Sequence, residues 1–230
     1  MNVALGGPSA GRVAIVTGGS RGVGRATIHR LAARGYAVVV NYLHDQRAAE
    51  SAVEAILADK NDAVAVRADV ADDLDVQRLF AETIAAFGGI DVVVHAVGSR
   101  IAETPLAEAD LPEFDALVRI NTRSTFIVNR EAARCLRGGG AIVNLCSSAE
   151  GSSLTAHGLY VATRAATNVL TRALALELRE RDITVNAVAL EAHRPCTPDR
   201  VAEVIAYLLS DHGRRLTGQV LGIGYPKVKQ

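Results

Sequence analysis

What the chain has little of narrows the field first. Its three cysteines, Cys135, Cys146 and Cys196, are an odd number at spacings that suit no metal, and the first two sit in apolar surroundings. Reduced thiols in a cytoplasmic protein are therefore expected, rather than a disulfide framework or a metal site. An excess of charge is missing as well. Lys and Arg number 25 against 25 Asp and Glu, with a pI near 7.0. No global field draws the chain to nucleic acid or to an anionic membrane, and neither is expected as a partner. No apolar run is long enough to span a bilayer, and Met1 to Ala10 lack the basic start and long apolar core of a secretion signal. Those ten residues read as a flexible lead into one domain covering 1–230. Repeats, low-complexity tracts and linkers are absent.

What is present is enough apolar material for one full core, 49% of 230 residues. The most informative stretch is Val13-Ala-Ile-Val-Thr-Gly-Gly-Ser-Arg-Gly-Val-Gly24. A β-branched apolar run passes through Gly18, Gly22 and Gly24, which free the backbone for a tight turn before a helix begins. Such a junction aims unpaired helix N–H groups at an anion, usually phosphate.

Along the rest of the chain, strand-like and helix-like segments alternate. The pattern predicts strands at 12–19, 37–41, 63–70, 91–98, 141–146, 184–190 and 219–223. It predicts helices at 23–34, 46–58, 72–87, 111–136, 159–181 and 199–209, with Asp72 as an N-cap, Gly35 and Gly88 as stops, and Gly138 to Gly140 breaking the chain ahead of the fifth strand. Alternation with strands that are continuous apolar runs argues for α/β architecture, a doubly wound parallel sheet covered on both faces. Ligands of such sheets bind beyond the carboxyl ends of the strands, where the glycine turn, Asn41, Asp69, Gly98, Ser147 and Glu191 would gather.

Thr17-Gly-Gly-Ser-Arg-Gly-Val-Gly24, Ala68-Asp-Val70, Asn121 and Tyr160, in that order, resemble the short-chain dehydrogenase/reductases of the classical type, and among them the 3-oxoacyl carrier protein reductases. The resemblance covers Arg12 to Leu221 and implies a Rossmann fold that binds a nicotinamide cofactor. It places Gly18, Ser20, Arg21, Gly22, Val23 and Gly24 at the diphosphate, Asn41 at the ribose, Asp69 and Val70 at the adenine, and Gly98 close to the cofactor. Because Arg21 is a cation and Asn41 is no acid, NADP(H) is favoured over NAD(H). A helix N-cap is the structural alternative for Asp69. His95, in a place where the family usually has asparagine, is expected to be a hydrogen-bonding strand-end residue.

For catalysis the resemblance implies Tyr160 as general acid/base, Ser147 as holder of the substrate oxygen (with Ser148 as the competing choice), and Asn121 as part of a proton relay. The family's lysine, four residues after the tyrosine, is Arg164 here. The two positions share a helix face, so a guanidinium is expected beside the phenol or the ribose, or else in solvent. It keeps the charge but not the shape or the labile proton of lysine, and Arg164→Lys is expected to raise a reductase rate. Asn121 has a structural alternative too, packing against Asn144 or bonding a backbone carbonyl.

Two further departures bear on the substrate. Leu190-Glu191 replaces Pro-Gly, and only 191–197 separate the sixth strand from Pro198, so the family's substrate lobe is missing. The expected substrate is then large or carrier-bound, or a partner subunit completes the site. Gly222-Ile-Gly-Tyr225-Pro226 also replaces the family's Val-Asp-Gly-Gly. The leading expectation is an NADP(H)-dependent carbonyl reductase or alcohol dehydrogenase, associating as a homo- or hetero-oligomer through the helices at 111–136 and 159–181. The alternatives are a non-redox cyclase or isomerase using Tyr160, Arg164 and Glu191, and a silent subunit that partners an active reductase. His157 and His193 are weaker candidates and read as ordinary loop histidines.

Overall fold

The computed structural model describes residues 11–98, 104–148, 158–191 and 196–224. Seven strands form one sheet: β1 (Val13–Thr17), β2 (Ala37–Tyr42), β3 (Ala63–Arg67), β4 (Ile90–His95), β5 (Leu136–Ser148), β6 (Thr184–Glu191) and β7 (Val220–Ile223). Their order is β3-β2-β1-β4-β5-β6-β7, and every pairing is parallel. Parallel neighbours require crossovers, supplied mainly by α1 (Gly22–Ala32), α2 (Gln46–Ala58), α3 (Asp73–Phe87), α4 (Leu111–Leu117), α5 (Ser124–Cys135), α6 (Gly158–Glu177) and α7 (Pro198–Leu208).

The apolar runs exist because both faces of the sheet are covered. Ala14, Val16, Val38, Val40, Val92 and Val94 pack with Ile28, Leu31, Ile205 and Leu208 on one side. The alternate residues Val13, Ile15, Val39 and Val93 pack with Leu79, Phe80, Ile127 and Val128 on the other. Each large aliphatic side chain so buried contributes about 1.5–3 kcal/mol before entropy is counted. The helices start where a side chain satisfies their first amides: Asp45 accepts from Ala48 N, Asp72 from Asp75 N, Asp110 from Glu113 N and Thr197 from Arg200 N. Gly88 ends α3 in the left-handed region at φ 81°, as a C-terminal stop should.

The helix expected over 111–136 is one helical path with a defect in it. After α4, residues Val118–Arg123 form a π-helical turn, and α5 then runs only to Cys135. Such a turn inserts an extra residue and re-aims its side chains, commonly at a functional site. Gly138 to Gly140 do not precede β5 but lie inside it. Leu136 pairs with Ile90 and Ala141 with Val92, so β5 bulges outward by several residues against two of its neighbour. Gly139 has φ +77°, and a Cβ on Gly140 would stand 2.7 Å from the Asp91 carbonyl oxygen, which is why the bulge is glycine. The third strand stops at Arg67, short of the expected Val70, because Asp69 folds into a turn. α6 ends at Glu177, and Arg179–Arg181 form a separate 3₁₀ turn.

The chain leaves β1 toward β2 and β3, then returns to β4 on the other side of β1. Beyond the carboxyl ends of β1 and β4 the crossovers diverge, and this switch point is where a crevice must open.

Candidate active site

Two adjoining cavities, of about 350 and 390 Å³, occupy that crevice and share Gly18, Arg21, Val97 and Gly98. The glycine turn forms their common wall. Gly18 and Gly22 adopt φ +64° and +55°, conformations that side-chain-bearing residues rarely take. Gly24 allows α1 to lie against the turn, since a Cβ there would be 2.2 Å from the Gly18 carbonyl oxygen. No side chain caps α1 and its first turn carries no acid. Its leading N–H groups and the positive end of its dipole therefore face the cleft, as a diphosphate requires. Ser20 is buried in the turn, Arg21 is exposed at its edge, and Val23 lines the larger cavity.

The smaller cavity runs from the turn toward β3. Asn41 borders it, yet its side chain is 1% exposed and wholly engaged with main chain. Gly18 N donates to its Oδ1 at 3.4 Å, and its Nδ2 donates to the Ala68 and Val66 carbonyls at 3.0 and 3.4 Å. Asn41 thus braces the turn against β3 and does not present its amide to a ribose. β2 runs one residue past the expected end at Asn41, and Tyr42 and Leu43 line the cavity beyond it. Asp69 is not the cap of α3, a role that falls to Asp72. Its Oδ1 accepts from Ala71 N at 2.9 Å and its Oδ2 from Arg119 at 2.5 Å. Burial alone would raise this carboxyl, but the bonds from Arg119 and Ala71 outweigh it and hold the group below the usual range. Asp69 and Val70 both line the cavity. Arg119 is a partner that the motif pattern did not indicate, because fifty residues separate it from Asp69.

His95 is fully buried between the turn and the π segment. Thr17 Oγ1 lies 2.9 Å from its Nδ1, and Ser124 Oγ lies 3.2 Å from its Nε2. The neighbours settle the direction of both bonds. Ser124 donates to the Ile120 carbonyl and so accepts from Nε2–H; Thr17 accepts from Ala96 N and so donates to Nδ1. The imidazole is a neutral strut tying β1 and β4 to the segment that carries Asn121. Burial, and secondarily the charge of Arg164, pushes its pKa from 6.5 down to about 3. Unfolded chains bind a proton at this histidine below pH 6.5 while folded ones do not, so stability is lost as pH drops below that point. Each pH unit below that point costs about 1.4 kcal/mol until the folded-state value is reached. Urea denaturation across this range in wild type and His95→Gln checks it: the variant's stability declines less steeply, and an identical slope would refute the strut.

Besides the glycine turn, the larger cavity is lined by Tyr160, Arg164, Cys146 and Leu190. Tyr160 stands in the first turn of α6, its carbonyl accepting from Thr163 Oγ1 at 2.8 Å. Asn121 is fully buried in the π turn, and its Nδ2 donates to that same Thr163 hydroxyl at 3.0 Å. It is thereby joined to the tyrosine's own turn, while the Asn144 amide donates to Thr171. Arg164 is no solvated cation. It is 7% exposed, its Nη1 donates to the Val97 and Leu145 carbonyls, and its Cζ lies 5.9 Å from the centre of the Tyr160 ring. Gly98 makes room for it, because a Cβ there would fall 1.4 Å from Nη2.

Ser147 is not among the residues that line this cavity. Its hydroxyl donates to the Leu190 carbonyl at 3.2 Å, which occupies the proton that a substrate oxygen would need. Among the competing positions, Ser148 and Glu191 are described in backbone only, and His157, His193, Tyr225 and Met1 to Ala10 lie outside the described residues. Cys146 lines the cleft, but burial pushes its thiol up to about 12 against the pull of Arg164, so it offers no thiolate at neutral pH. Among the described residues no group of His, Cys, Asp and Glu is placed to hold a metal, and no helix is long and apolar enough to cross a membrane.

The family model described as short chain dehydrogenase matches residues 12–196. Versicolorin reductase 1 of Aspergillus parasiticus is 34% identical over 249 residues, covering 93% of this chain and 95% of the relative. That alignment is longer than the chain itself, so the relative carries residues without a counterpart here. Hydroxynaphthalene reductase arp2 of Aspergillus fumigatus is 37% identical over 182 residues, covering 79% of this chain and 66% of the relative. A solved short-chain dehydrogenase from Burkholderia cenocepacia in complex with NADP superposes with a TM-score of 0.85 at 32% identity, covering 94% of this chain and 97% of the other.

Proposed function

Because the chain belongs to the short-chain dehydrogenase family, we propose that it is an NADP(H)-dependent carbonyl reductase or alcohol dehydrogenase with a Tyr-Arg active site, acting on a large or carrier-bound substrate. The observation that carries this reading is that Tyr160, Arg164 and the glycine turn line one cleft. The uncapped start of α1 would hold the diphosphate, Asp69 and Val70 would border the adenine, and Gly98 would let the backbone approach the nicotinamide ribose. The cofactor, when bound, supplies or accepts the hydride. Tyr160 donates the proton to the carbonyl oxygen, and Arg164 sets a fixed positive charge beside the phenol. Only six residues separate β6 from α7, where the family's substrate lobe would stand, and so short a connection suits a bulky substrate.

The cofactor choice rests on Arg21 and on Asn41 standing where the family can carry an acid toward the ribose; Asp45 borders the same cavity, with one carboxylate oxygen engaged in capping α2. The NADP complex of the Burkholderia neighbour supports the same choice. Pairing of subunits through α5 and α6 is supported by exposed Phe126, Val169 and Leu176 on those helices. Titration of the protein with NADPH and NADH, followed by nicotinamide fluorescence that no tryptophan here obscures, tests the reading. NADPH is expected to bind about tenfold more tightly or better, and Arg21→Ala to bring the two together. Equal affinities in wild type would remove the NADP preference, and binding of neither would remove the reductase reading. A cyclase or isomerase, the second reading, would bind cofactor or substrate without oxidising NADPH.

A further inference from the structure

The π turn, Val118–Arg123, is held on one side by the loop that follows β3 and on another by the helix that carries the tyrosine. Toward the loop, Arg119 Nη2 donates to Asp69 Oδ2 at 2.5 Å and Arg123 Nε donates to the Ala71 carbonyl at 3.0 Å. Toward α6, Asn121 Nδ2 donates to Thr163 Oγ1 and Thr122 Oγ1 donates to the Thr163 carbonyl, both at 3.0 Å. Thr163 Oγ1 donates onward to the Tyr160 carbonyl. Between the two sets Ile120 lines the smaller cavity, beside Asp69 and Val70. Six residues thus span the distance from the wall of one cavity to the helical turn that presents Tyr160 to the other.

A π turn is a rare local geometry, so its position depends on what grips it from outside. The grip on the Asp69 side is firm because the carboxylate cannot swing: its Oδ1 accepts from Ala71 N at 2.9 Å, and Asp69 N donates to Asp75 Oδ2 at 2.8 Å. Arg119 passes that fixed position on to the turn. For global stability the pair counts for little, since the Arg119 side chain is 53% exposed and water screens it. Its effect is therefore local.

We infer that Arg119 is a positioning residue for Tyr160: it ties the π turn to the Asp69 loop and so sets, through Asn121 and Thr163, where the tyrosine's turn of α6 stands. The inference rests on the reductase reading for what Tyr160 then does. Arg119 itself reaches neither the phenol nor the larger cavity, and it acts through three successive hydrogen bonds. The consequence is that the Asp69 end of the cleft and the proton-donating end form one braced unit. A small misplacement of a catalytic group is costly to rate even where binding survives.

Hydrogen–deuterium exchange of the ligand-free full chain, paired with steady-state ketone reduction, tests this in wild type, Arg119→Met and Arg119→Lys. In Arg119→Met, amides of residues 160–168 are expected to exchange about fivefold faster or more while those of α7 keep the wild-type rate. At saturating NADPH its kcat falls about tenfold, and Arg119→Lys, which keeps the charge, recovers part of both losses. The loss of kcat in Arg119→Met with Asn121→Ala is smaller than the two single losses combined, because both cut one path. Should Arg119→Met fail to fold, Asp69→Asn weakens the same ion pair from the other side and is expected to give the same local pattern. Unchanged exchange at 160–168 overturns the inference, and so does acceleration spread evenly over the chain. A loss confined to NADPH affinity, with kcat and exchange intact, overturns it too and leaves Arg119 a part of the cavity wall alone. If wild type does not bind NADPH, the reductase reading falls, and the ligand-free exchange comparison still decides whether Arg119 sets the tyrosine's turn.

Discussion

Tyr160→Phe is expected to lower NADPH-dependent ketone reduction by at least about a hundredfold, the scale of a lost general acid. Affinity for NADPH should change little. The hydroxyl is the only atom removed, and the architecture beneath it does not depend on that atom. Tyr160 is fixed through its carbonyl, which takes the Thr163 hydroxyl, and Thr163 is fixed in turn by Asn121 from the π turn. Phenylalanine keeps the ring that faces Arg164, so the loss belongs to proton donation and not to a collapsed wall. The check is a pair of measurements on one preparation: steady-state turnover and fluorescence titration. A variant that binds NADPH and reduces ketone at the wild-type rate would sink Tyr160 as the acid.

What was legible in the sequence was what local chemistry dictates. Gly18, Gly22 and Gly24 could be placed because positive φ and close approach demand glycine whatever the surroundings. Asp72 could be named a cap and Gly88 a stop because each acts within one turn of its own helix. The alternation of valine-rich strands with helices fixed the covered parallel sheet for the same reason.

Less legible was where polar side chains point once the sheet is assembled. Asn41 sits one residue before the end of β2, and the carbonyls of Val66 in β3 and of Ala68 just beyond it turn its amide inward. Ser147 has the spacing of the family's serine, yet the β6 carbonyl of Leu190 claims its hydroxyl. Arg164 looked like either a phenol partner or a solvated cation. Its burial follows from Gly98 and the carbonyls of Val97 and Leu145, none of which is near it in the chain. The π turn around Asn121 had no local sign either, since the apolar period continues through it. In each case the deciding bond joins elements far apart in sequence.

The same distinction sets the second large effect, at Gly24. Gly24→Ala is expected to abolish tight cofactor binding, weakening NADPH by a hundredfold or more, and to destabilise the fold by about 1–3 kcal/mol, the usual cost of overpacking. The added methyl would stand 2.2 Å from the Gly18 carbonyl oxygen, 2.8 Å from its carbon and 3.1 Å from Gly19 Cα. All of these are backbone, so no side chain can swing aside, and α1 must back away from the turn. The amides that would grip the diphosphate then lose their convergence, although no charge and no catalytic group has been altered. Gly22→Ala separates the two causes of a glycine requirement: nothing lies within 4 Å of its hypothetical Cβ, and only the positive φ of 55° is strained. Its penalty should be the smaller one, about 1–2 kcal/mol of stability, with NADPH affinity less affected. Thermal unfolding and fluorescence titration on both variants read the two quantities separately. Gly24→Ala binding NADPH as wild type does would show that the start of α1 is not where the diphosphate lies.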